Sequence, residues 1–368
     1  MTPLIGKTLS ELKEICREYG FPAFTASQMA DWLYKKRVRT LNEMTNLSKS
    51  AREKLSAEYE VGRVPYADSI CSRDGTRKYL FPVELGNGML QPRGLGLAGR
   101  EQTAGDDIVA DARKEKVQGI EAVMIPDEDR RTLCVSSQAG CKMGCRFCMT
   151  GRQGFHGHLT TAGIINQFLE VEETGELTNT VFMGMGEPLD NWENVSKAIE
   201  ILTSSWGFAW SPKRITLSTI GVLPNLKKYL DGCSCHIAVS LHNPFHGQRL
   251  ELMPAERAYP IKDTVELLSQ YDFSGQRRVS FEYIMFSGVN DSVHHADALI
   301  RMLRPFECRV NLIRFHKIPD SPLNTSPMQA IERFQNGMNA AGILTTLRAS
   351  RGEDILAACG MLSGKKKA

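Results

Sequence analysis

Three of the chain's ten cysteines crowd into the stretch CKMGCRFC, as Cys141, Cys145 and Cys148. Thiolates bind soft metals, and their number limits the choice. A structural zinc ion closes its tetrahedron with four protein ligands, and an ordinary iron-sulfur cluster takes four cysteines. Three leave a position open. The trio fits a [4Fe-4S] cluster with one iron that the protein does not hold. The amino and carboxylate groups of an amino acid could chelate that iron, which suits S-adenosylmethionine. The alternative is a zinc ion completed by a nearby histidine such as His156.

Further along, GMGEP (184 to 188) offers glycines that let backbone approach a ligand without a side-chain clash. Glu187, next to Gly186, could accept a hydrogen bond from the ligand's amino group. Other polar residues recur where short apolar runs end. Ser218 ends RITLST, Ser240, Leu241 and His242 end HIAVSLH, Asn311 lies in VNLIRF, and Cys359 follows LTTLRAS.

These residues need a frame. The runs TLCVSS, TVFMGM, RITLST, HIAVSLH, VSFEYIM, VNLIRF and LTTLRAS alternate with helical segments such as AGIINQFLEVEE and SVHHADALIRML, which predicts βαβ units and a parallel sheet. Such units are fewer than the eight of a closed TIM barrel, so the expected fold is α/β, a partial, open TIM-like β/α barrel. Ligands of such barrels bind at the carboxyl ends of the strands, where these scattered residues would converge. The barrel is assigned to 131–368, with Cys359 on its last loop. Residues 1–63 read as a small helical domain, with Ser27 and Ser48 as candidate caps. Between them, RKYLFPVEL and IEAVMIP read as strands of a β-hairpin region over 64–130. It is interrupted near 86–118 by a Gly- and charge-rich insertion.

Composition excludes several classes. Hydrophobic content of 42% and charged content of 24% describe an ordinary globular chain. No apolar run approaches the roughly 18 residues that span a bilayer, and the start lacks a signal-peptide core, so a cytoplasmic protein without a membrane partner is expected. In a reducing compartment, clustered cysteines point to metal binding or catalysis rather than a disulfide framework. The net charge of +3 identifies no partner, but Lys35, Lys36, Arg37 and Arg39, and Lys365, Lys366 and Lys367 near the end, form basic groups that either contact phosphate or are solvated surface.

Taken in order, CVSSQAGCKMGCRFC, FMGMGEPLDN, RITLSTIGV, VSLHNP, RVNLI and RGEDILAACG resemble the radical S-adenosylmethionine RNA methyltransferases of the RlmN/Cfr family, the RlmN type most closely. The likeness runs through 120 to 362. It extends more loosely to ASQMADWLYKKRVRTLNEMTNLSKSAREKL, similar to the family's amino-terminal module. The resemblance implies a radical SAM fold, a [4Fe-4S] cluster on Cys141, Cys145 and Cys148, and S-adenosylmethionine contacts at Gly186, Glu187, Ser218, Ser240, Leu241, His242 and Asn311.

The resemblance further implies methylation of carbon 2 of an adenosine in 23S rRNA near the peptidyl-transferase centre, and of an adenosine beside the anticodon of certain tRNAs. That carbon lies between two ring nitrogens and is too electron-poor to attack a sulfonium methyl. By resemblance, Cys359 accepts a methyl group from one S-adenosylmethionine, a second is cleaved to a radical that activates it, Cys134 resolves the adduct through a disulfide with Cys359, and Glu121 accepts a proton. Thiolate is the side-chain nucleophile suited to both displacement and disulfide release. A stacked adenine cannot reach a barrel mouth, so the base must be accessible or flipped out. A flavodoxin or ferredoxin as electron donor and a monomeric state are expected.

The rivals are Cfr-type methylation of carbon 8 and a non-catalytic iron-sulfur RNA-binding protein. Pro188 after Gly186 and Glu187 separates the chain from the GEA of Cfr-type sequences. The extra thiols Cys134 and Cys359 would be idle in a binding module. Met361 departs from the glutamine common after AACG. Arg348 and Arg351 either act on Cys359 or phosphate or are surface residues. Cys16, Cys71, Cys233, Cys235 and Cys308 read as ordinary core or surface positions, and His294 and His295 as helix surface.

Overall fold

The computed structural model describes residues 1–83, 89–90, 119–275, 277–305 and 307–363. Apart from 89–90, the insertion near 86–118 lies outside the described residues, as do Lys365, Lys366 and Lys367.

Seven parallel strands form the frame: β4 (Arg130–Cys134), β7 (Asn179–Phe182), β8 (Ile215–Thr219), β9 (His236–Ser240), β10 (Val279–Met285), β11 (Arg309–Arg314) and β12 (Leu344–Leu347). They lie side by side in chain order. Beyond β4 the sheet continues antiparallel through β3 (Gly119–Asp127), β2 (Arg77–Pro82) and β1 (Asp68–Cys71), so that among the described residues β12 and β1 are unpaired edges and the sheet is open. Register sets Cys134 at the carboxyl end of β4, opposite Val123 on one side and Val181 on the other. One feature is absent from the strand pattern of the sequence. The short strand β5 (Gln138–Gly140) pairs antiparallel with β6 (Phe155–Leu159), so the cysteine trio lies between two strands of a hairpin.

Helices cover the outer face: α5 (Thr161–Glu170), α6 (Trp192–Thr203), α7 (Leu223–Gly232), α9 (Ile261–Leu268), α10 (Val293–Leu303) and α11 (Met328–Ala340). Most bury only one face, but every residue of α5 is buried. The amino-terminal helices explain this. They are α1 (Leu9–Glu18), α2 (Phe24–Ala30), which runs on through a wider turn over Asp31–Lys35, and α3 (Lys49–Ser56). Thr8 and Glu11 close a capping box at α1, and Ser48 caps α3 as the sequence predicts. Ser27 instead lies inside α2, whose first turn has no side-chain cap, because the helix starts just after Pro22. Gly6, at φ +81°, brings this domain so close to α5 that a Cβ would stand 2.4 Å from the Ala162 nitrogen. Only glycine fits there.

The contact is polar as well as close. The buried Glu170 carboxylate binds Arg63 and Arg39, while Arg63 also donates to the carbonyls of Arg37 and Leu169. Asn166 exchanges both hydrogen bonds with the backbone of Val64. Arg37 donates to the Thr174 carbonyl at 2.7 Å, and Lys36 pairs with Asp31 over the Trp32 ring. Arg37 and Arg39 therefore both bond to the barrel, Arg37 partly buried and Arg39 still exposed.

Removing one partner of a buried pair leaves the other charge uncompensated. Glu170→Ala is expected to lower the unfolding free energy by about 3–5 kcal/mol, and Lys36→Ala, at an exposed pair, by less than about 1 kcal/mol. Urea denaturation followed by circular dichroism measures both, and equal small losses would show that the Arg63–Glu170 contact does not hold the domain.

Candidate active site

At the carboxyl ends of the parallel strands a cavity opens, lined by Cys141, Cys145 and Cys148, by Gly186 and Glu187, by Ser218, Ser240 and His242, and by Cys134 and Cys359. Residues that are far apart in sequence meet there because each parallel strand delivers its final residues to one face.

The trio sits on the β5–β6 loop. Gly140, at φ +69°, cannot carry a side chain, since a Cβ would fall 1.9 Å from the Gly154 carbonyl oxygen. The helix α4 (Met149–Arg152) begins just after Cys148. Burial pushes the thiols of Cys141, Cys145 and Cys148 up, that of Cys141 to about 12. Without a cation these sulfurs are held as thiols, the state that a metal converts to thiolate. Among the described residues no three His, Cys, Asp or Glu groups converge on a single-ion site. His156 is on β6, exposed. The donor set, three soft thiols around one cavity, suits a sulfide-bridged cluster better than a lone ion.

Glu187 is buried, and one oxygen accepts from the Leu189 amide at 3.1 Å and the other from the Ile220 amide at 2.9 Å. Burial pushes its carboxyl up to about 7, against these hydrogen bonds. Gln138 fixes the segment before it: its carbonyl oxygen accepts from the Glu187 amide, and its amide nitrogen donates to Asp190. A Cβ on Gly186, at φ +100°, would stand 2.5 Å from Gln138 Cβ.

His242 also has a positive φ, 56°, which costs energy in any residue but glycine. Its Nδ1 accepts from the Ile284 amide at 3.1 Å, and burial lowers its pKa to about 3, so the ring is neutral. Ser218 and Ser240 line the cavity at the ends of β8 and β9. The Leu241 side chain is buried in the core, so only its backbone faces this region. Asn311 lies behind the wall, with its amide donating to Glu282 at 2.7 Å and its oxygen accepting from Thr346.

The last segment of the chain covers the open side. Gly352 donates to Asp74, the Asp354 carboxylate accepts from the Ser72 hydroxyl, and Lys78 donates to the Leu356 carbonyl. Farther on, Met149 donates to the Gly360 carbonyl and Thr150 to that of Leu362. Cys359 is thereby held exposed at the cavity, and a Cβ on Gly360 would lie 3.8 Å from Cys148 Cα. Cys134 lies in the wall. Burial pushes its thiol up to about 12, with the facing Cys359 adding to the shift and Arg348 opposing it. Arg348 pairs with the buried Glu282 at 3.4 Å, and the facing Cys359 raises its pKa further. Glu121, on β3, is not among the lining residues. Its carboxylate pairs with Lys78 at 2.9 Å and accepts from the Ser363 amide at 2.6 Å.

Gln138 and Glu282 were not singled out from sequence. Glu282 left a signal, a lone charge within the apolar strand VSFEYIM, whereas Gln138 left none. His295 is a correction. It is buried, between the Ser292 hydroxyl and Gln248, because α10 turns that face toward the loop after β9. His294 is exposed and stacked on Phe245. Cys16 packs against Met29, and Cys233 and Cys235 lie at the amino end of β9, away from the cavity.

The family model for the radical SAM superfamily matches 135–300, and that for the ribosomal RNA large subunit methyltransferase N-terminal domain matches 2–61. The chain is 51% identical to a probable dual-specificity RNA methyltransferase RlmN from Bacteroides fragilis, over 99% of this chain and 97% of that one. It is 37% identical to the dual-specificity RNA methyltransferase RlmN of Syntrophus aciditrophicus, over 97% and 95%. A crystal structure of a radical SAM methyltransferase from Sphaerobacter thermophilus superposes with a TM-score of 0.84 at 34% identity, covering 99% of this chain and all of that one.

The two thiols outside the trio differ in access and in environment. Near pH 8, iodoacetamide is expected to alkylate Cys359 at least ~10-fold faster than Cys134, because alkylation requires an accessible thiolate. Peptide mass spectrometry over a time course reads both rates, and equal rates would contradict the burial of Cys134.

Proposed function

Because the chain belongs to the RlmN family of radical S-adenosylmethionine RNA methyltransferases, we propose that it methylates carbon 2 of a specific adenosine in 23S rRNA, near the peptidyl-transferase centre, and of the adenosine beside the anticodon in tRNAs. The observation that carries this reading is the meeting of Cys134 and Cys359 with the cysteine trio around one cavity. A protein that only held a metal would need neither.

In this reading Cys141, Cys145 and Cys148 hold a [4Fe-4S] cluster, and Glu187 accepts from the amino group of S-adenosylmethionine while Gly186, Ser218, Ser240 and His242 shape its site. Leu241 contributes backbone only, and Asn311 acts through Glu282. A cluster so held supplies the electron that cleaves S-adenosylmethionine to a 5′-deoxyadenosyl radical. The chain's own thiols do the rest. Cys359 sulfur takes the methyl group of a first S-adenosylmethionine and displaces S-adenosylhomocysteine. After that group loses a hydrogen atom to the 5′-deoxyadenosyl radical formed from a second S-adenosylmethionine, its carbon bonds to carbon 2 of the adenine. The resulting adduct radical gives up one electron, which a cluster on the trio would take back, together with the ring proton. Cys134 then attacks the Cys359 sulfur, forming a disulfide and releasing the methylated base.

Glu121 accepts the ring proton in this scheme, and for that Ser363 must first release its carboxylate. The cation of Arg348 opposes the upward push that burial gives the Cys134 thiol. Lys35 and Lys36 are the remaining candidates for phosphate contact on the helical domain, since Arg37 is engaged by Thr174. A flavodoxin or ferredoxin as electron donor, a monomeric state and a cytoplasmic location complete the proposal. Among the described residues no helix is long and apolar enough to cross a membrane.

Mass spectrometry of RNA from cells carrying or lacking the gene tests the reaction. We expect 2-methyladenosine with the wild type, none with Cys359→Ala, and a protein-RNA crosslink with Cys134→Ala. If 8-methyladenosine appears, the Cfr-type reading replaces this one. A second expectation concerns pH. Glu187 accepts from the amino group as a carboxylate, and burial pushes its pKa up to about 7. The Kd for S-adenosylmethionine is therefore expected to rise about tenfold between about pH 8 and about pH 6, with the dependence abolished in Glu187→Gln. A flat profile by isothermal titration calorimetry on the cluster-loaded protein would remove Glu187 from the site.

A further inference from the structure

Behind the cysteine trio lies an ion pair that no motif covers and no step above uses. Arg249, on α8 (His246–Leu252), is 0% exposed and its partner Glu256 1%. Burying two charges costs several kcal/mol per ion unless each finds further partners. Both do. Arg249 Nε donates to the Leu241 carbonyl at 2.9 Å and Nη2 to that of Ser240 at 2.8 Å, while Nη1 binds Glu256. Glu256 also accepts from the Ile261 amide at 3.0 Å and pairs with His246 at 2.8 Å.

These contacts join the carboxyl end of β9 to the short helical turn Pro254–Arg257. The segment that leads into this turn also supports the cysteine loop. Arg146, between Cys145 and Cys148, donates its amide to the Leu252 carbonyl at 3.0 Å, and a Cβ on Gly144 would lie 3.8 Å from Pro254. Met253 of the same segment lines the cavity. Arg249 therefore sits at the carboxyl end of β9, where Ser240 lines the same cavity as Cys145.

Well-packed apolar residues would hold the segment as well as an ion pair does, and often better. What they could not supply is charge. We propose that Arg249 is a positioning residue that fixes a positive charge behind Cys145 and so makes a cluster on the trio easier to reduce, with Glu256 limiting the effect. The inference rests on the reading that Cys141, Cys145 and Cys148 hold that cluster. Reduction adds negative charge, and a fixed cation in a dry interior stabilises the more negative state. The carbonyls of Ser240 and Leu241 point their dipoles at Arg249, which keeps the guanidinium from relaxing away.

The test is a mediated redox titration of the anaerobically reconstituted full-length protein, read by the electron paramagnetic resonance signal of the reduced cluster. Relative to wild type, Glu256→Gln is expected to raise the midpoint potential. The double variant Arg249→Met/Glu256→Gln, which leaves neither charge, is expected to lower it. Arg249→Lys, which keeps the cation, stays near wild type. Opposite shifts are what a purely structural pair could not produce. Coincident potentials, or a shift of both charge-altering variants in one direction, would overturn the proposal. Should Glu256→Gln fail to fold, a double variant no lower than wild type and Arg249→Lys would overturn it equally. Wild-type protein that takes up no iron and sulfide, or Cys145→Ala protein that still binds the full cluster, overturns the assignment of the trio and the inference with it. Unmoved potentials on intact clusters overturn the inference alone.

Discussion

A parallel sheet of seven strands is too short to close on itself, and the consequences of that gap run through the whole molecule. In a closed barrel the inward side chains of all strands fill the interior. Here, among the described residues, β12 and β1 remain unpaired edges, and the interior at the carboxyl ends stays open enough to be a cavity. The chain covers the open side with its own last segment, fastened at Asp74, Ser72, Lys78, Met149 and Thr150. A cover made of loop rather than strand puts an exposed cysteine over the cavity, where no strand register could place one.

The charges around the cavity follow from the same enclosure. Burial raises Glu187 and the trio's thiols and lowers His242, so the wall is nearly neutral without ligands. Against this background, a few fixed charges carry the electrostatics. Arg348 with Glu282 faces the two thiols outside the trio, and Arg249 with Glu256 backs the trio from behind. Each arginine is held by acceptors from more than one residue.

The amino-terminal helices are joined to this frame by buried polar contacts rather than by a flexible linker. Arg63, Glu170, Asn166 and the close approach at Gly6 fix them on α5, which is why α5 has no solvent face. Basic residues that look like a nucleic-acid patch in sequence are partly consumed by that joint. Lys35 and Lys36, both beside Asp31, and Arg39, paired with Glu170, remain exposed.

Much of this was fixed by local sequence. Periodicity alone implied alternating strands and helices, the count of strands implied an unclosed barrel, and the positions of CxxxCxxC and GMGEP after apolar runs implied that they meet at the strand ends. Ser48 was legible as a cap because capping is a local interaction, while Ser27 was misplaced because the preceding Pro22 decides where α2 starts. Contacts between distant segments were not legible. Gln138 under Glu187, Glu282 beside Arg348, His295 turned inward and Arg249 behind Cys145 all depend on which residues the fold brings together, and no spacing in one chain encodes that. The use of Arg37 in the domain joint has the same cause. Sequence determines which groups exist and the period at which they face one side, but burial decides their protonation and partners, and burial is a property of the assembled chain.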